Sequence, residues 1–201
     1  MEKESTILSY LTEHPFISTK DAEDMGFSKS YLYKLVSSKK IKALGNGLFE
    51  LINRETISEF TSIIEVTHRV NNGVVSLISA LAIYELTTEL PSEVWITVPR
   101  GSWLPKVEYP PIQYITATEK SYAFGVTTKI IDSSSIKIYT VAKTIADCFK
   151  HRNKIGINVA IDSLKEAWYK KLVTMDEIVE AAKVNCVLSI MKPYLEVIVN
   201  Y

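Results

Sequence analysis

The chain has 201 residues, 47% of them hydrophobic, enough for one large domain or two unequal ones with a core that needs no disulfide or metal staples. Its 23 basic and 23 acidic residues cancel, so bulk charge gives no argument for a polyanionic partner. No apolar run approaches the roughly 18 residues of a membrane span, the N-terminus lacks a secretory pattern, and the two cysteines, Cys148 and Cys186, show no metal-binding spacing, so a cytoplasmic protein with reduced thiols and no membrane partner is expected.

The charges are unevenly placed. Residues 1–27 carry Glu2, Glu4, Glu13, Asp21, Glu23 and Asp24 against Lys3 and Lys20, whereas residues 28–47 carry Lys29, Lys34, Lys39, Lys40 and Lys42 and no acid. In the first stretch Ile7, Leu8 and Leu11 recur at helical spacing until His14-Pro15 ends the helix. Ser18 with Asp21 predicts the N-cap of a short second helix over about 19–25, with Gly26 as its left-handed stop. Ser28 opens a third helix that turns Leu32, Leu35 and Val36 inward. Gly45-Asn46-Gly47 then separates two short apolar runs and predicts a β-hairpin. Three helices and a hairpin in this order predict a winged helix-turn-helix over residues 1–52.

Residues 53–201 read as a larger mixed domain. Helices are expected over 54–70 and 74–86, followed by four strands at 93–98, 112–117, 126–131 and 136–139. Prolines 91, 99, 105, 110 and 111 make the first connections loops. The rest is helical: Thr140 to about His151, Gly156 to Lys170, a third helix opened by the capping box Thr174-Met175-Asp176-Glu177, and a last one near 187–199 interrupted at Pro193. The expected fold class is α+β, an N-terminal winged helix-turn-helix with a four-stranded sheet and C-terminal helices behind it.

On the third helix the 100° step places Ser30, Lys34 and Ser37 outward, with Tyr31 and Tyr33 on the flanks. With Ser28 and Lys29 at its start, Lys39, Lys40 and Lys42 at its exit and on the wing, and Asn46 at the wing tip, this surface suits double-stranded DNA: lysines meet phosphates and hydroxyls reach phosphates or base edges. The competing reading is a solvated lysine surface on a winged helix used for protein contact. A second cationic group, Lys150, His151, Arg152 and Lys154 with Arg100 as a companion, reads equally well as a nucleic-acid contact or as positive side chains complementing a helix C-terminus. Asp147, four residues after Lys143, reads as an ion-pair partner rather than a catalyst.

An enzyme is not expected. No Asp-x-Lys or Glu-x-Lys pair of a restriction-type nuclease occurs, no G-x-S-x-G or phosphate loop is present, and the three histidines are scattered, so neither catalytic residues nor a metal nor another cofactor is assigned.

Three segments resemble the AbiEi antitoxin family: Gly73-Val74-Val75-Ser76-Leu77-Ile78-Ser79-Ala80-Leu81-Ala82 with Glu93 to Gly101 after it, Thr144 to Gly156, and Met191-Lys192-Pro193-Tyr194-Leu195-Glu196. Where relatives often carry histidines, near Leu77 and Tyr84, this sequence has none. The resemblance implies a transcriptional autorepressor of a bicistronic toxin-antitoxin operon active in phage abortive infection. Its N-terminal domain would bind promoter inverted repeats. Its C-terminal domain would counteract a nucleotidyltransferase-like toxin without forming a stable complex. A monomer in solution that binds DNA cooperatively is expected. The alternatives are a winged-helix transcription factor with a sensing domain and no toxin, and a DNA-processing nuclease.

Overall fold

A computed structural model describes residues 2–53, 58–89 and 91–199. The fold is mixed α+β with two sheets, one of three strands and one of five. By contact density it divides into two compact units, residues 1–71 with 130–136, and residues 72–129 with 137–201.

The first unit opens with α1 (Glu2–Glu13), β1 (Ile17–Ser18), α2 (Thr19–Asp24) and α3 (Lys29–Ser37), followed by β2 (Ile41–Gly45) and β3 (Leu48–Leu51). Ser18 caps α2 through a complete capping box, its hydroxyl accepting from the Asp21 backbone N–H while the Asp21 carboxylate accepts from the Ser18 backbone and hydroxyl. The third strand, β1, escapes the sequence pattern because two residues carry no period; it pairs antiparallel with β3 through Ile17 opposite Phe49. The hairpin turns on Gly45, Asn46 and Gly47, all at positive φ, with a register shift between Ala43 and Gly45. Ile7, Leu11, Ile17, Ala22, Leu32, Leu35, Ile41 and Phe49 form one core. The expected helix over 54–70 begins later, as α4 (Thr61–Arg69); residues 54–57 lie outside the described residues. Its Arg69 bonds the Leu44 carbonyl at 2.7 Å and pairs with Glu65, and its His68 meets Phe16 edge-on.

The second sheet has the order β6-β5-β4-β8-β7, one strand more than expected. The added strand is β4 (Val74–Val75), read from the sequence as the start of a helix. Two β-branched residues pair there, antiparallel with β5 (Val94–Pro99) and parallel with β8 (Ser134–Tyr139), and the helix α5 (Leu77–Ile83) starts only after Ser76. β6 (Ile112–Ala117) runs parallel to β5, and their connection is a loop without a helix. The short helix α6 (Glu119–Ala123) leads to β7 (Val126–Ile131), which turns into β8 through Asp132 and Ser133, both at positive φ as a two-residue hairpin requires.

The remaining chain forms α7 (Val141–Lys150), α8 (Arg152–Ile155), α9 (Ile157–Tyr169), α10 (Met175–Val184) and α11 (Leu188–Val199). Thr174 and Glu177 make the capping box expected for α10, and Pro193 lies within α11. Ile145, Ala146, Cys148 and Phe149 of α7 are the centre of this unit's core. Cys148 is buried in α7, whereas Cys186 is exposed in the turn after α10. Among the described residues no helix is long and apolar enough to cross a membrane.

Candidate nucleic-acid interface

The inward face of α3 is set by Leu32 and Leu35, both buried, and everything the helix does not commit to the core faces solvent. Ser28, Lys29, Ser30, Tyr33, Lys34 and Ser37 are exposed, as are Lys39, Lys40, Lys42 and Asn46 beyond the helix. Tyr31 is the exception: it is half-buried, its ring stacked on Phe27 at 5.8 Å, so it braces the helix rather than projecting from it. Tyr33 is held edge-on to Phe49 of the hairpin at 5.4 Å, with the Lys29 ammonium 6.0 Å from its ring centre. That contact fixes the α3 surface against β3.

The hydroxyls are partly engaged. Ser28 and Ser30 bond each other at 2.9 Å, and Ser37 donates back to the Tyr33 carbonyl at 3.0 Å. The lysines fall into two groups. Lys40 is paired with Glu4 of α1, whose carboxyl is lowered mainly by that hydrogen bond. Lys42 is paired at 2.8 Å with Glu50, its direct cross-strand neighbour. Lys29, Lys34 and Lys39 make no ion pair among the described residues. Glu4 and Glu50 are what the reading by segment missed, since they lie outside 28–47. The Lys42–Glu50 pair was legible in the hairpin register; the Lys40–Glu4 pair needed the packing of α1.

The second cationic group gathers at the α7–α8 junction. Lys150 and Lys154 are exposed, and Arg152 donates to the Phe149 carbonyl at 3.0 Å, the capping role a helix C-terminus offers. His151 is half-buried and its pKa is lowered, chiefly by burial and further by Lys150, Lys154 and Lys143, against a raising effect of Asp147. It is therefore neutral at neutral pH and adds no charge. Arg100 stands exposed at the end of β5.

Lys143 and Asp147 form the expected pair, and burial makes it more than a surface bridge. The Lys143 ammonium lies 2.6 Å from both Asp147 oxygens and 4.4 Å from the Tyr139 ring centre, with Lys143 only 1% exposed. Asn185, at the end of α10, donates to Asp147 at 2.8 Å and accepts from Ser121 of α6 at 2.8 Å. The Asn185 side-chain amide, at the end of α10, thus ties α6 to α7. Lys143 is lowered by burial, which Asp147 opposes, and burial pushes Tyr139 well up. Gly125 belongs to this arrangement: at φ +70, a Cβ there would sit 2.8 Å from that of Lys143. Among the described residues no group of three or more His, Cys, Asp or Glu is placed to hold a metal ion.

The architecture defines a two-sheet α+β protein. No family model matches the chain, and no curated protein matches it. Among solved structures, the crystal structure of RV2827C protein from Mycobacterium tuberculosis is similar, at 9% sequence identity and a TM-score of 0.48, covering 92% of this chain and 82% of that one. At that identity and score the likeness assigns no activity.

Proposed function

We propose that the chain is a winged-helix transcriptional repressor that also serves as the antitoxin of a toxin-antitoxin operon, of the AbiEi kind that its sequence resembles. In this reading α3 is the recognition helix, β2–β3 is the wing, and the target is double-stranded DNA with inverted repeats in the operon's own promoter. The observation that carries the DNA-binding part is the surface of α3 and its exit. Lys29, Lys34 and Lys39 stand exposed without acidic partners among the described residues, on a helix braced against the hairpin. Lys40 and Lys42 have carboxylates to exchange for phosphates, so they contribute less. The antitoxin part rests on the resemblance of residues 73–101, 144–156 and 191–196, and its partner is a nucleotidyltransferase-like toxin met without a stable complex.

A transcription factor with a sensing domain is the second reading, supported by a cavity of about 410 Å³ lined by Tyr84, Phe124, Gly125 and Glu180 among others. Two assays separate the parts. In the first, the protein is titrated on a duplex from upstream of its own reading frame and on a shuffled duplex. Preferential, intact retention of the first supports the repressor, and equal affinity for both contradicts it. In the second, co-expression with the adjacent reading frame tests whether residues 53–201 restore growth; growth arrest by no neighbouring gene leaves the sensing reading in place of the antitoxin.

A further inference from the structure

The loop joining β5 to β6 spends its sequence unusually. Parallel strands are commonly connected by a helix, which packs on a face of the sheet. Here residues 100–111 return without regular structure; Arg100, Trp103, Lys106 and Tyr109 are exposed, as are Gly101, Leu104, Glu108 and Pro111, while Pro105 and Pro110 are buried. Trp103 is 80% exposed and Tyr109 is 72% exposed. Two large rings are thus left in water, without the burial that usually stabilises an aromatic side chain.

The backbone beneath them is fastened. Arg100 N–H bonds the Ala117 carbonyl at 2.8 Å, the Ser102 hydroxyl accepts from Asn72 at 3.0 Å, Tyr114 of β6 donates to the Pro105 carbonyl at 3.1 Å, and Val94 N–H bonds the Pro111 carbonyl at 2.8 Å. The loop is thus fastened at Arg100, Ser102, Pro105 and Pro111, which lowers the cost of ordering it on binding. Neither Arg100 nor Lys106 makes an ion pair among the described residues, and Glu108 is the one acid of the loop.

We propose that this strip binds unpaired nucleotides, with Trp103 and Tyr109 stacking on bases and Arg100 and Lys106 meeting the phosphates between them. Rings alternating with cations match the repeating base and phosphate of a single strand. A duplex offers no free base faces to a protruding indole, and stacking on exposed bases is how aromatic side chains bind single strands without reading sequence. A protein partner could use the same rings, but Arg100 and Lys106 beside them, neither in an ion pair among the described residues, favour a polyanion. The site is distinct from α3 and stands whether or not α3 reads DNA.

The test uses the full chain with fluorescein-labelled 15-nucleotide oligo(dT) and oligo(U), followed by anisotropy at low salt. The wild type is expected to bind both or one, which identifies the strand as DNA or RNA, with quenching of tryptophan emission. Trp103→Ala and Tyr109→Ala should each weaken binding about tenfold, while Trp103→Phe and Tyr109→Phe keep most of it. Glu108→Gln should tighten it, and Lys165→Ala, an exposed lysine of α9, should leave it unchanged. No binding by the wild type overturns the proposal, as do alanine variants that bind like the wild type or phenylalanine variants as weak as alanine. Loss of a protein partner in Trp103→Ala, with no single-strand binding by the wild type, overturns it in favour of a protein interface. Circular dichroism of each variant keeps folding out of the comparison.

Discussion

A lysine with 1% exposure has been taken out of water at considerable cost, and Lys143 tolerates it because one carboxylate answers it with two oxygens and one ring lies beneath it. Removing one partner of a buried pair strands the other, so Asp147→Ala should destabilise by about 3–5 kcal/mol in denaturant melts. The double change Lys143→Met with Asp147→Leu should recover most of that, because an apolar pair leaves no orphaned charge. A double variant no more stable than Asp147→Ala would mean that the network does more than balance a charge. Two histidines act on pH. Burial holds His68 and His151 below the ordinary histidine value, opposed by Asp21 and Asp147 respectively. The unfolded chain therefore takes up protons first as pH falls below about 6.5, and stability declines from there until the lower folded values are passed. His68→Gln with His151→Gln should flatten the melting temperature between pH 7 and pH 5; an unaltered decline would place the proton uptake elsewhere.

At the level of elements, five helix ends share one device. After α2, α3, α5, α9 and α10 a single residue enters the left-handed region, and the next N–H reaches back to a carbonyl of the last turn, as Lys40 N–H does to Leu35. Only the first of these residues, Gly26, is a glycine; the others are Lys39, Glu85, Lys171 and Cys186. Lys171 is exposed at φ 55, so Lys171→Gly should stabilise by about 1 kcal/mol and raise the melting temperature by roughly 2–4 °C. No gain would show that the αL cost is absorbed there. The same contrast explains what the sequence made legible. Gly26, the Gly45-Asn46-Gly47 turn and the two capping boxes announce themselves through residue chemistry, and α7, α9 and α10 appear close to their expected bounds. The left-handed caps at Glu85 and Lys171 do not, because neither residue type signals positive φ, and the two-residue strands β1 and β4 do not, because they are too short to carry a period and pair with strands distant in sequence. At the candidate interface the helical period correctly separated Leu32 and Leu35 from the exposed positions. It could not tell that Tyr31 would lean on Phe27, or that α1 would bring Glu4 to Lys40.

For the whole molecule, zero net charge means that any attraction to nucleic acid must be local. The exposed lysines on and after α3 are one such place, and the strip from Arg100 to Tyr109 is proposed as another. Lys150 and Lys154 are a weaker candidate, since Arg152 is occupied with the helix end and His151 is neutral. Arg152→Glu would remove a cap while reversing charge, so loss of growth rescue would count for a functional patch only if the melting temperature stayed within about 2 °C of the wild type. The account depends most on α3 meeting a duplex, and phosphate contacts leave a signature in salt. Binding of the upstream duplex should be measured from low to moderate salt for the wild type and for Lys34→Ala. If Lys34 neutralises a phosphate, the variant binds more weakly and its log–log salt slope is shallower by about 0.9. A wild-type protein that ignores the duplex, or a Lys34→Ala variant with the same affinity and slope, would contradict the repressor.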